Sequence, residues 1–397
     1  MSDAGLPMQG RLFCNGNIQR EVDLIQVLGS QILQSRHQNP SISRSKKCLL
    51  VTAGWLENEY REQHLKQALA KLGIPMQLNR QDNVQNLSLY HLFQEFLEEY
   101  PDFRARWNER EHLVEAARSL YLEKNGFFVD FLRRSLSNFR EYFPALGAAS
   151  TLEKVLAAID RAQPLIGSAL GRQRLGTFLA KNINSALHSL QENDDSLVHL
   201  LRDIEEEYVV STGLYFHQGW QKARQELQRR ILSANSIFIF GGHMAEMHRC
   251  FSFFRLGEVL EEALRCGASF YTVSAGSLIL CERVILFNDF AYTDLGAKRE
   301  FQLFDRGFSL VPGMQLFPHC TDRIQTDDTD NLAYLALRFR NRVCVGLNEG
   351  SILSLERSKE LNYAWEAKSV GHSDGVYVFD SAGQKLCYRA GELIPNS

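Results

Sequence analysis

The chain has no long apolar run, no strong excess of one charge and no paired cysteines, and each absence removes a class of function. No apolar run in its 397 residues approaches the ~18–20 residues needed to span a bilayer. Lysine and arginine total 44 against 47 aspartates and glutamates, a net charge of −3. Without a global basic field, general nucleic-acid binding by phosphate neutralisation is not expected, nor is adsorption to an anionic membrane. The eight cysteines are scattered, at 14, 48, 250, 266, 281, 320, 344 and 387, and none form a Cys-x-x-Cys pair. Most lie in apolar runs, so they read as buried free thiols of a reducing compartment, not as a disulfide framework or zinc site. The first residues, MSDAGLPMQGRLF, lack a basic stretch followed by an apolar one, so no secretion signal is expected. Together these features lead to the expectation of a cytoplasmic protein. What is present is an ordinary globular mixture, 45% apolar and 23% charged, in a chain long enough for two or three domains at about 150 residues each.

Three zones differ in texture. Residues 1–88 alternate short strands and helices. Gly10–Asn17 is a short apolar stretch, Glu21–Ser35 has helical spacing, and Gln38–Ser45 reads as a polar loop. Lys47–Gly54 reads as a buried strand, Glu59–Leu72 as a helix closed by Gly73, and Ile74–Leu78 as the next strand. Strand–helix alternation signals a mostly parallel sheet flanked by helices. Residues 89–234 lose the strand pattern. Apolar residues there recur at three and four over Leu89–Tyr100, Arg106–Lys124, Phe127–Phe143, Leu152–Ile166, Arg172–Gln191, Ser196–Tyr208 and Gly219–Leu232, which predicts an all-α block. Asn125-Gly126 and Pro144 read as stops, and Ser150-Thr-Leu-Glu153 as a capping box,. Residues 235–397 return to strands, at Ser236–Phe240, Ser269–Val273, Gly307–Val311, Val343–Leu347 and Val376–Phe379. A helix is expected over Glu246–Cys266, stopped by Gly267. The first zone has too few strands to stand alone. The expected architecture is one α/β domain interrupted by an all-α insertion.

The sharpest chemical signal is Tyr271-Thr-Val-Ser274-Ala-Gly276-Ser. A β-branched strand runs into a serine, then small residues, then a helical pattern through Leu278, Ile279, Leu280 and Val284, as in a nucleophile elbow,. Such a turn lifts the hydroxyl above the sheet edge and needs small neighbours where strand and helix pass closely. The amide of Ala275 and the helix N-terminus could stabilise an oxyanion. The same residues also fit a plain N-cap serine. Phe240-Gly241-Gly242 follows a buried strand and could supply a second oxyanion amide, or be only a turn. Leu316-Phe-Pro-His319 offers a general base, and Val345-Gly-Leu-Asn-Glu349-Gly350 a carboxylate at a strand end,. Each of these, taken singly, also fits a structural role. His243, Glu246 and His248 have metal-ligating side chains, but the two histidines are five apart on one helix and face different sides. No metal site is expected there.

In order, Gly-Gly, the elbow serine, Pro-His and Gly-x-x-Glu-Gly resemble the aspartyl dipeptidase (peptidase E) and cyanophycinase family of serine peptidases. The resemblance covers 236–390 well, 10–80 loosely, and 89–234 not at all. It implies a class I glutamine amidotransferase-like fold and a Ser–His–acid hydrolase of small peptides, without metal or cofactor. Ser274 then matches the nucleophile, His319 the base, and Gly242 and Ala275 the oxyanion donors. Either Glu349, the preferred match, or Asp289 in Phe287-Asn-Asp289 matches the acid. Three departures stand out: Thr272 where the family has glycine, Ser277 where it has alanine, and His243-Met244 in place of Gly-Asn. The larger Thr272 must fit between strand and helix, which is expected to tilt the elbow. At the substrate rim, beside His243, the family's arginine after the histidine is answered by Arg323 among Asp327, Asp328 and Asp330. That rim would favour a basic or free-amine group, unless the acids merely begin a helix at Thr326–Asp330. Two further readings follow. The α/β part could be a catalytically reduced scaffold, with the insertion as a binding, assembly or homo-oligomer module; alternatively, the insertion could cap the site. A glutaminase of the amidotransferase type is disfavoured, because the nearest following cysteine, Cys281, lies seven residues past the elbow.

Overall fold

The computed structural model describes residues 10–78, 80–142, 152, 170–287, 301–324, 326–358, 364–371 and 375–395. Its strands, in chain order, are β1 (Leu12–Asn15), β2 (Cys48–Val51), β3 (Gln77–Leu78), β4 (Gln81–Asp82), β5 (Val84–Asn86), β6 (Ser236–Ile239), β7 (Ser269–Val273) and β8 (Arg283–Phe287). They continue with β9 (Phe301–Arg306), β10 (Met314–Pro318), β11 (Val343–Leu347), β12 (Ser351–Arg357), β13 (Trp365–Gly371), β14 (Val376–Phe379), β15 (Lys385–Tyr388) and β16 (Leu393–Ile394).

The central sheet runs β16-β13-β12-β1-β7-β6-β2-β5. Its middle and one side, β1 through β5, are parallel, and the other side is antiparallel. Strands from before and after the helical region therefore share one sheet. Every residue of β1, β2, β6 and β7 is buried, as expected of strands covered on both faces. A second sheet, β10-β11-β14-β15, carries a parallel pair, β10 and β11, beside an antiparallel hairpin.

Between β5 and β6 the described residues are helical. Leu89–Glu99 packs on the helix Met244–Phe253, where the rings of Phe93 and Phe96 meet Phe253 at 5.0 and 5.4 Å. Two helices of 42 and 43 residues, Pro101–Tyr142 and Leu170–Thr212, then form a long antiparallel arm. The predicted stop at Asn125-Gly126 is not a stop, and neither is the gap between Gln191 and Ser196. Both polar spots are buried seams: Asn125 accepts from Arg338 at 3.0 Å, and Asn193 donates to the Tyr121 carbonyl at 3.2 Å. Partners across the helix interface satisfy the groups that would otherwise favour a break.

Other expectations change in instructive ways. Gln38–Ser45 contains a short helix, Pro40–Ser45, capped by Asn39. Ile74–Leu78 is no sheet strand: Gln77–Leu78 forms an exposed hairpin with β4, and β5 takes the sheet edge. Gly307–Val311 is a loop after β9, whose amides bond back to the Ile279–Glu282 carbonyls. Glu21–Ser35 breaks at Leu28, and Glu246–Cys266 breaks at Phe254-Arg255, where Arg255 has φ 50°. The segment after the elbow is helical only over Ala275–Leu278, and Val284 belongs to β8. Asp289, Pro144, the Ser150–Glu153 box apart from Leu152, and most of Leu152–Ile166 lie outside the described residues.

Candidate active site

The site assembles where β6, β7 and β10 end. Ser274 follows β7 with φ 49° and ψ −110°, a conformation that costs a non-glycine residue about 1–3 kcal/mol,. It holds because the surroundings over-determine it. The Ser274 amide donates to the Asn15 carbonyl at 2.9 Å, and the Ser274 carbonyl accepts from the amides of Ser277 and Leu278. Gly276 lets the short helix lie on β6: a Cβ there would sit 2.2 Å from the Ile239 carbonyl oxygen.

The departures at 272 and 277 prove to be partners. The Thr272 and Ser277 hydroxyls lie 2.8 Å apart inside the elbow, both fully buried. Ser277 donates onward to the Asn15 carbonyl at 3.0 Å, leaving Thr272 to donate to Ser277. The extra hydroxyl at 272 is thus satisfied by the extra hydroxyl at 277, and both tie the elbow to β1. An alanine at 277 would take away the 2.8 Å partner of Thr272, whose contact to the Phe13 carbonyl, at 3.4 Å, is a poor bond,.

His319 directly follows β10 and is itself left-handed, with φ 53°. Its Nε2 lies 2.9 Å from Ser274 Oγ, within the reach required of a nucleophile and its base. Both side chains are half-buried. Gly242, with φ 130°, packs against the Gly54 backbone, where a Cβ would come within 2.3 Å of the carbonyl oxygen, while Gly241 lies against Val273 and Ser274. Among the described residues, the Gly242 and Ala275 amides have no loop acceptor, whereas the next amide, His243, donates to Gly54 at 2.7 Å. Ala275 thus follows the serine directly, and the Gly241-Gly242 turn meets it through Gly241.

The expected acids and rim residues fare differently. Glu349 is exposed, its backbone bridges Asn17, and its carboxylate makes no hydrogen bond or ion pair with His319. Its neighbour Asn348, not singled out from the sequence, contacts the His319 turn instead. The Asn348 Oδ1 accepts from the Thr321 amide, the Thr321 hydroxyl and the Cys320 thiol, each at 3.0 Å. The signal available was position alone: Asn348 follows the strand paired with the one that ends before His319. The rim acids have structural partners. Asp328 caps the helix Thr329–Arg338, Asp330 pairs with Arg140 of the arm at 2.5 Å, and Asp327 pairs with Lys385 at 3.3 Å. His243 caps the helix Met244–Phe253 through a 3.2 Å bond from the Glu246 amide. Arg323 lies in the turn Cys320–Arg323 directly after His319.

All eight cysteines are free, and burial pushes the thiols of Cys14, Cys281 and Cys320 up to about 12, so those near the elbow and the histidine stay protonated. Among the described residues no group of three or more His, Cys, Asp or Glu is placed to hold a metal ion. No helix among them is long and apolar enough to cross a membrane.

Comparison with known proteins bears on the same segment. Residues 217–361 match the sequence model of Peptidase family S51, a stretch that contains Gly242, Ser274, Asp289, His319 and Glu349. Over that stretch the chain resembles the aspartyl dipeptidase and cyanophycinase family, and the match supports a peptidase-type hydrolase. No curated protein matches the chain. Among solved structures, the crystal structure of a peptidase from an acI-B1 Actinobacterium aligns over 98% of this chain and 97% of that one, at 12% identity and a TM-score of 0.45.

Proposed function

We propose that the chain is a serine peptidase or amidohydrolase cleaving a small peptide or an isopeptide-type amide. In this reading residues 89–234 are an insertion into a single α/β domain. The observation that carries it is the 2.9 Å contact between Ser274 Oγ and His319 Nε2 at a left-handed elbow. His319 takes the Ser274 proton, and the serine oxygen attacks the substrate carbonyl carbon. The amides of Gly242 and Ala275 hold the oxyanion, and His319 returns its proton to the leaving amine. Water, activated by His319, then releases the acyl group from Ser274. A carboxylate orients the imidazole. Asp289 takes that role in this reading, since the Glu349 carboxylate is exposed and makes no bond to His319. Replacing Asp289 by Asn therefore costs far more turnover than replacing Glu349 by Gln. Comparable losses in both variants would leave the acid unassigned, and a larger loss in Glu349→Gln would reverse it.

The test is hydrolysis of a panel of dipeptides and isopeptides with acidic, neutral and basic residues on either side of the bond. Turnover by the wild type that disappears in Ser274→Ala supports the reading. Equal turnover in both proteins overturns it.

A further inference from the structure

The imidazole can act only if its backbone stays in a conformation that a histidine does not favour. His319 sits at φ 53° between Pro318, the last residue of β10, and the short turn Cys320–Arg323. As N-cap of that turn it gives no side-chain cap bond. Within the turn the amides of Asp322 and Arg323 bond back to the His319 carbonyl, at 3.1 and 2.9 Å, and the Ile324 amide to that of Cys320, but the Thr321 amide finds its acceptor outside the turn,.

We propose that Asn348 is the positioning residue that holds the His319 turn and thereby aims its Nε2 at Ser274. This rests on the Ser274–His319 reading above and deepens it. The parallel register pairs Pro318 with Leu347, so the next residues on the two strands, His319 and Asn348, come out side by side. The Asn348 side chain then reaches past His319, and its single carbonyl oxygen gathers the Thr321 amide, the Thr321 hydroxyl and the Cys320 thiol at 3.0 Å each. It supplies in trans the cap that His319 cannot supply itself. The Asn348 carbonyl in turn accepts the Ser351 amide at 3.1 Å, which fixes the cap to β12 of the central sheet. One residue thus links the sheet bearing Ser274, through its backbone, to the turn bearing His319, through its side chain. The requirement is an acceptor of this shape: leucine fills the volume and offers none, whereas aspartate keeps the oxygen.

The experiment follows inactivation of the intact protein by a fluorophosphonate at pH 8, with the maximal rate and the half-saturating concentration measured separately. Asn348→Leu should lower the maximal rate by about tenfold to a hundredfold, the cost of a misplaced catalytic group, with the half-saturating concentration within about twofold. Asn348→Asp should restore the rate to within about threefold of the wild type, since the oxygen is retained. Thr321→Val removes one of the three donors and should show a smaller drop of the same kind; it serves as the readout if Asn348→Leu does not fold. Wild-type rates in Asn348→Leu and Thr321→Val overturn the inference. So does an equal loss in the Leu and Asp variants, which would mark a packing effect. If the wild type is inert to the probe, the Ser274 reading falls first and this inference with it.

Discussion

The Ser274–His319 pair and the cluster around Arg338 are both polar, yet they are built in opposite ways. The pair is half-buried, joined by one hydrogen bond, and both members have positive φ. Arg338, the last residue of the helix Thr329–Arg338, is buried in the seam of the helical arm. Its guanidinium donates to Asp194 at 2.8 and 2.5 Å, to the Tyr121 hydroxyl at 2.9 Å, to Asn125 at 3.0 Å and to the Tyr334 hydroxyl at 2.6 Å. Tyr121 also donates to Asp194 at 2.7 Å and accepts the Leu303 amide at 3.1 Å. The members of this second cluster sit on ordinary helices. Chemistry needs a group held in a costly geometry, and fixing two bodies together needs groups at rest in a dense network. The difference also assigns the arm a place: its helices hold the far end of the helix that follows the histidine turn, while Arg140 pairs with Asp330 at the near end.

The comparison can be broken most sharply at Ser274. Ser274→Gly should lose all detectable hydrolysis yet raise the thermal midpoint, because glycine removes a strain of about 1 kcal/mol or more. A variant that is both inactive and less stable would show that the elbow stores no strain. Next in size is the clamp. Arg338→Leu should destabilise by about 3–5 kcal/mol, since it leaves the Asp194 carboxylate buried without its partner. Urea midpoints measure this, and the double variant with Asp194→Leu should recover much of the loss. If the single and double variants unfold alike, the cluster is not a coupled network.

Smaller effects sharpen the picture. Ser277→Ala strands the Thr272 hydroxyl and should cost about 1–3 kcal/mol, while the pair Thr272→Val with Ser277→Ala should cost less than the two singles summed. Strict additivity would contradict the pairing. The smallest effect is pH-dependent. Burial pushes His248 below its usual 6.5, against the opposing pull of Asp305. The unfolded chain therefore binds the proton more readily, so this contribution to stability is full above pH 6.5 and is lost as pH falls below it. His248→Gln should flatten the fall of the thermal midpoint between pH 7 and 5; an unchanged slope would assign acid sensitivity elsewhere.

Much of this was legible in the sequence, for physical reasons. Buried parallel strands such as Ser236–Ile239 and Ser269–Val273 announce themselves by unbroken apolar runs, and the elbow by its small residues. Breaks were misread where tertiary partners decide. Asn125-Gly126 resembles a helix end until Arg338, more than two hundred residues away, satisfies the asparagine. The edge strand Val84–Asn86 is too short to show a period. In the candidate site, the meeting of Ser274 and His319 was readable from residue type and order. Asn348 was not, because nothing local marks an acceptor whose three donors all come from another strand's turn.

The most direct measurement is the mass of the fluorophosphonate adduct, mapped to a residue, in the wild type and in His319→Ala. A single adduct on Ser274 that forms in the wild type and fails to form without the imidazole is the result predicted here. An adduct on any other residue, or labelling of Ser274 at the same rate when His319 is gone, would contradict a serine activated by that histidine.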